Sequence, residues 1–129
     1  MSWNYKGKKI KDLSDFPPNS FGFVYLVIHK PTNKKYIGKK VLYFSKKVKI
    51  GKKELKSLLS ESKAKDFTRS ILKIVPSKKL LTYFETKYQM VYQVLEKPDE
   101  FFNDNILGKF YTKDFDEIEY EDPLEIDEI

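Results

Sequence analysis

Two tyrosines, one glutamate and a dense set of lysines are the side chains here best suited to proton handling, cation binding and anion binding. Phe23-Val24-Tyr25 and Tyr36-Ile37-Gly38 place two phenols ten residues apart, with Lys39 and Lys40 directly after the second. If both segments are strands joined by a tight turn, the phenols can meet at one surface site. A glycine beside them lets backbone or a ligand approach closely. Two tyrosines on a hairpin also serve as cross-strand packing. Glu85 is the only acidic residue between Ser77 and Leu95 and sits at the edge of an apolar helical stripe. Its carboxylate suits either a structural lysine partner or Mg²⁺, which takes one or two carboxylates, water and phosphate oxygens. His29, the sole histidine, falls near the turn and reads as a strand-end residue rather than a base.

The elements that must position these groups follow from periodicity. Residues 1–20, with Pro17 and Pro18, read as an irregular arm pinned by its aromatics. Phe21 to His29 is short, apolar and rich in β-branched and aromatic residues, hence a buried strand. Alternation puts Phe23, Tyr25 and Val27 on one face, and Val24, Leu26 and Ile28 on the other. Lys30–Lys34 is a turn carrying Pro31 and Asn33, and Lys35–Phe44 the returning strand. Lys46–Lys53 reads as a basic loop, 54–65 as a modest helix, and Asp66–Val75 as a third strand ended by Pro76. Ser77 then caps a helix over about 77–96, whose buried face is expected to be Leu80, Leu81, Phe84, Tyr88, Val91, Tyr92 and Leu95. Residues 98–111 form aromatic and Asn-rich turns. The organisation is an arm (1–20), one α+β domain (21–113) and a tail (114–129).

Charge is sharply segregated. Residues 1–113 contain all 25 cations against 10 acids, a balance of +15, whereas 114–129 contain nine acids and no cation. Arg69 is the only arginine, so the basic surface consists mainly of lysine point charges rather than planar forks. Such a surface suits a polyanion, nucleic acid ahead of membrane, because no basic amphipathic helix stands alone. The tail reads as a solvated end that competes for the basic face or meets a basic protein partner. There is no cysteine, which excludes disulfides and thiolate metal sites. No apolar run nears the ~20 residues of a membrane span, and Met1-Ser2-Trp3-Asn4-Tyr5 lacks a signal-peptide core. The expectation is a soluble, cytoplasmic protein.

The paired segments Phe23-Val24-Tyr25 and Tyr36-Ile37-Gly38 resemble the GIY-YIG nuclease signature, with Phe23 for its first glycine and Val24 for its isoleucine. Asp66–Leu72 resembles that superfamily's third strand, Thr82–Met90 its glutamate helix, and Phe101-Phe102-Asn103 the segment after it. Trp3–Lys8 and Tyr36–Lys40 are similar to a phage-encoded, homing-type branch, so the likeness runs through 1–111 in order. It implies a small three-stranded antiparallel sheet flanked by helices, acting as a Mg²⁺- or Mn²⁺-dependent DNA endonuclease. Carried over, Tyr25 positions or deprotonates the attacking water and Tyr36 supports the nucleophile or scissile phosphate. Glu85 holds the metal, Asn103 orients the neighbourhood, and Lys39 or Lys40 lowers a tyrosine pKa. The DNA-contacting set is Lys40, Lys46, Lys47, Lys49, Lys52 and Lys53. Two features depart from the pattern. Lys46 stands where the family has an arginine, and nothing between Lys47 and Lys65 matches a Trp- and Tyr-containing Gly-Ser-Ser segment. The alternative is therefore a catalytically impaired DNA- or protein-binding module, including an inhibitor of a host protein.

Binding by residues 1–113 should be electrostatic, with weak sequence preference. Neutralising about 4–6 phosphates predicts a slope of log affinity against log salt near −4 to −5; a slope near zero would sink this reading. Deleting 114–129 should tighten binding at low salt and matter less once salt screens the tail.

Overall fold

Strand β3 (Gly22–His29) lies at the heart of the molecule because its side chains are apolar on both faces. The computed structural model describes residues 3–42 and 64–116. Strand β4 (Lys34–Val41) returns antiparallel to β3, with Tyr25 opposite Gly38 and Val27 opposite Tyr36. Asn33, at φ 58, supplies the left-handed turn residue, a conformation that asparagine tolerates. On the other side of β3 runs β5 (Phe67–Val75), also antiparallel. Its register slips between Val24 and Tyr25, where Tyr25 faces Ile71 but Val24 faces Lys73. Leu72 is the extra residue of this bulge, so the strict alternation expected along the strand breaks beside Tyr25.

The sheet is larger than the three strands expected. Residues of the supposed irregular arm form β1 (Trp3–Tyr5) and β2 (Lys8–Ile10), joined by Lys6-Gly7 with both φ values positive. That is the backbone of a twisted two-residue hairpin turn. β1 runs parallel to β5 through Asn4 and Ser70, giving a mixed five-stranded sheet in the order β2-β1-β5-β3-β4. Three-residue strands are too short to leave a readable period.

One face packs on helix α1 (Lys78–Val91), with Val24, Ile37, Val75 and Leu81 at the centre of that core. The opposite face carries Trp3, Ile10, Phe23, Tyr25, Val27 and Ile71. Ser77 caps α1 by accepting from the Leu80 amide at 3.2 Å, satisfying one of the helix's free donors. The helix ends sooner than expected, and Gln93 at φ 56 turns the chain away. Its buried face is also rotated. Leu81 is buried and Phe84 and Tyr88 half-buried, but Leu80, Val91 and Tyr92 are exposed. The face that meets the sheet includes buried Gln89 instead. Leu95 is buried as expected, but in the turn after the helix. A small hairpin, β6 (Asn105–Ile106) with β7 (Phe110–Tyr111), follows. The expected helix at 54–65 lies outside the described residues.

β4 is an edge strand, and its edge is closed by the segment after the helix. The Lys35 amide donates to the Glu100 carbonyl at 2.9 Å, and the Phe102 amide to the Lys35 carbonyl at 2.7 Å. One step on, the Asn103 side chain replaces backbone: Oδ1 accepts from the Ile37 amide at 3.1 Å, and Nδ2 donates to its carbonyl at 2.8 Å. Gln89 Nε2 donates to the same carbonyl at 3.0 Å. Asn103→Ala should therefore strand a buried amide and cost about 1–3 kcal/mol. Urea melts should show a lower midpoint with little change in slope.

Candidate active site

Tyr25 is fully buried on the central strand, beneath Trp3 at 5.2 Å and beside Tyr36 at 6.2 Å between ring centroids. Its phenol reaches over the backbone of Gly38. A Cβ at residue 38 would lie 2.6 Å from the Tyr25 hydroxyl oxygen and 2.8 Å from a Tyr36 ring carbon. Only glycine leaves room there for both rings. Burial, followed by the neighbouring Tyr36 and Glu85, pushes the Tyr25 phenol well above the usual tyrosine range. The expectation that a lysine lowers this pKa is therefore reversed for Tyr25: desolvation disfavours the phenolate, leaving a neutral hydroxyl.

The lysine nearest this centre serves the glutamate instead. Lys39 Nζ lies 3.8 Å from Glu85 Oε1 and donates to Thr82 Oγ1 at 3.1 Å, one helical turn before Glu85. The Glu85 side chain is only 17% exposed. Burial raises its pKa, and Lys39 only partly offsets the effect. Glu85 and Gln89 are one turn apart, so the hydrogen bond of Gln89 to Ile37 aims Glu85 at the same sheet edge.

These groups line a polar cavity of about 350 Å³, formed by Tyr36, Lys39, Glu85, Gln89, Asn103 and Asp104, with Asn105, Leu107 and Gly108 from the turn beyond. Tyr36, Lys39, Glu85 and Asn103 are thus brought together from β4, α1 and the segment after it. Tyr25 lies against Gly38 and is not among the lining residues. Lys40 projects on the Tyr36 face, opposite Phe23, and its pKa is lowered by burial and then by the charge of Arg69. Lys46, Lys47, Lys49, Lys52 and Lys53 lie outside the described residues. His29 sits at the far end of β3, its ring against Phe67 and Nδ1 2.7 Å from Thr32 Oγ1, away from the cavity.

Asp104 and Gln89 were missed by the sequence reading. Asp104 follows Asn103 directly, but nothing in its spacing links it to Glu85. Gln89 was hidden because a polar residue was not expected on the buried stripe. The donor set fits a hard divalent cation: Glu85 is a partly desolvated carboxylate, and Asp104 adds a second on the same wall. Among the described residues no group of three or more His, Asp or Glu gathers at one point, so water and phosphate oxygens would have to complete the shell. No described helix is long and apolar enough to cross a membrane.

A family model described as "Putative endonuclease segE, GIY-YIG domain" matches residues 3–106. That span includes both tyrosines, Glu85, Asn103 and Asp104, and also the β1–β2 hairpin. No curated protein and no solved structure matches the chain.

The raised pKa of Glu85 has a stability consequence with a definite sign. An unfolded carboxyl titrates near its ordinary value of 4.5, and the folded one above it. Above both values each state is ionised, and the native state bears the desolvation cost; below 4.5 neither is charged, and the cost disappears. Glu85→Gln should therefore raise Tm at pH 7 in metal-free buffer, by an amount that shrinks as the pH falls to 4 and below. A gain that is the same at both pH values would refute this account.

Proposed function

Because the chain belongs to the GIY-YIG endonuclease family, we propose that it is a divalent-metal-dependent DNA endonuclease of the phage homing type. The observation that carries this reading is the convergence of Tyr36, Lys39 and Glu85 on one polar cavity, with the Tyr25 phenol packed against Gly38 beside it. Glu85, with Asp104 on the same wall, would hold Mg²⁺ or Mn²⁺. When bound, such an ion supplies a Lewis acid that stabilises charge on the phosphoryl and leaving oxygens.

The chain's own groups divide the remaining work. Tyr36 is the phenol on the cavity wall, placed to orient the nucleophile or take its proton. Tyr25 stays protonated, because its ionisation is driven up by burial, and it serves as a fixed hydroxyl supporting Tyr36. Lys39 bonds Thr82 and Glu85 and offers a cation to an incoming phosphate. Asn103 holds Ile37 on both sides of its peptide unit, which fixes the flanking Tyr36 and Gly38. One observation favours a second reading, a DNA-binding relative that does not cut: Lys39 already lies on the glutamate, where a metal would have to compete with it.

Plasmid nicking with Mg²⁺ or Mn²⁺ tests the proposal. Glu85→Ala should abolish cleavage and leave DNA affinity nearly unchanged. Tyr36→Phe should cost about 10²-fold or more if the phenol handles a proton, and Tyr25→Phe should also slow cleavage while packing is kept. Lys46→Arg should raise the rate about tenfold, or ~1.4 kcal/mol of transition-state stabilisation, if a planar fork is what the chain lacks. Wild type that cuts no better than Glu85→Ala with either metal would favour the second reading.

A further inference from the structure

The sheet face that carries Tyr25 also carries the chain's single arginine. Arg69 lies on β5 among Phe67, Ile71 and Ile74, which all join the apolar cluster around Trp3 and Tyr25. An apolar side chain is what that row calls for, and burying a guanidinium there is a local conflict of the kind that marks function. Its position in the sheet is well defined. Arg69 pairs with Val27, and Val27 with Tyr36, so the three residues form one row across β5, β3 and β4. The Arg69 guanidinium carbon stands 4.3 Å from the Trp3 ring centroid, and Trp3 in turn covers Tyr25. Lys40 reaches the same face from the row of Phe23.

We propose that Arg69, steadied on the Trp3 ring, forms with Lys40 a binding site for a DNA backbone phosphate on the Tyr25 face of the sheet, separate from the phosphate at Glu85. A guanidinium stacked on an indole keeps its in-plane N–H groups available for bidentate contact with phosphate oxygens, which a lysine cannot match. The two cations feel one another, since the charge of Arg69 helps lower the Lys40 pKa. An anion between them relieves that repulsion. Two phosphate sites on different sides of Tyr36 would set the path of the strand across the β4 edge. The inference rests on the proposed endonuclease reading for the identity of its ligand.

The test is a salt titration of DNA binding by fluorescence anisotropy, with full-length protein, a generic duplex and EDTA, so that cleavage plays no part. Arg69→Met keeps the stem and the apolar row but removes the charge. It should reduce the magnitude of the log–log salt slope by about one and weaken binding several-fold. Arg69→Lys should keep the slope yet still lose affinity, because the fork is gone. Lys79→Met, on the helix covering the opposite face, removes the same charge and should change either quantity much less. Inorganic phosphate at matched ionic strength should compete less well than a short duplex if the site takes a DNA backbone phosphate; equal competition would overturn that assignment. Native-like Arg69→Met with wild-type slope and affinity would make Arg69 a purely structural cover for Trp3. Should Arg69→Met not fold, Lys40→Met and Arg69→Lys carry the same test, and unchanged binding in both overturns the proposal. A wild type that binds with the predicted losses but never nicks DNA fails the endonuclease reading alone. One that nicks but shows no Arg69 effect fails this inference alone.

Discussion

The peptide unit of Ile37 is the constraint on which the site depends. It lies on the outer side of an edge strand, yet Ile37 is 1% exposed, so its amide and carbonyl must find partners within the protein. Asn103 supplies both a donor and an acceptor, and Gln89 a second donor. These three bonds tie together the signature strand, the helix and the segment after the helix. Because Tyr36 and Gly38 flank Ile37, the same bonds fix the phenol and the gap beside it. Because Glu85 is one turn from Gln89, they also fix the carboxylate. A polar clamp is specific in a way that apolar packing is not: a slip of one residue along β4 would leave all three side-chain groups without partners.

Burial then sets the chemistry available. Tyr25 and Glu85 are both partly or wholly removed from water, and in both the charged form is disfavoured. A phenol held so far above its usual range is a poor base and a good hydrogen-bond donor. The carboxylate differs, because Lys39 compensates it in part and solvent still reaches 17% of its side chain. An added cation would therefore lower the Glu85 pKa, whereas it would act on Tyr25 only from a distance. The site is thus asymmetric: one acid keeps its proton, and the other gives it up to a positive neighbour.

Much of this was legible from residue order. The β3–β4 hairpin, its two faces and the helix bearing Glu85 follow from alternation, turn residues and the Ser77 cap, all local signals. What escaped were features decided by distant partners. Trp3–Ile10 became strands only because β5 offered an edge to β1. The helix stripe expected through Leu80, Val91 and Tyr92 was turned aside because Gln89 reaches Ile37, so a hydrogen bond outweighed the apolar period. Asn103 and Asp104 are adjacent in sequence, but one completes a sheet edge and the other faces a cavity, a division that no spacing reveals.

The departure at the first glycine of the signature can now be weighed physically. Phe23 is buried on the face covered by the N-terminal segment, 5.0 Å from Trp3 and stacked on Phe16 at 5.6 Å between centroids. Its side chain points into an aromatic layer built by β1 and the turn before β3, where a large ring fills space rather than obstructs a ligand. Gly38 is the opposite case, since any side chain would strike both phenols. Of the two glycine positions in the motif, only the second is sterically required in this chain. The first has been converted into core, and the extra strands that accept Phe23 also bring Trp3 over Tyr25 and Arg69. The substitution that weakens the match to the signature is therefore coupled to the same N-terminal addition that reshapes the Tyr25 face.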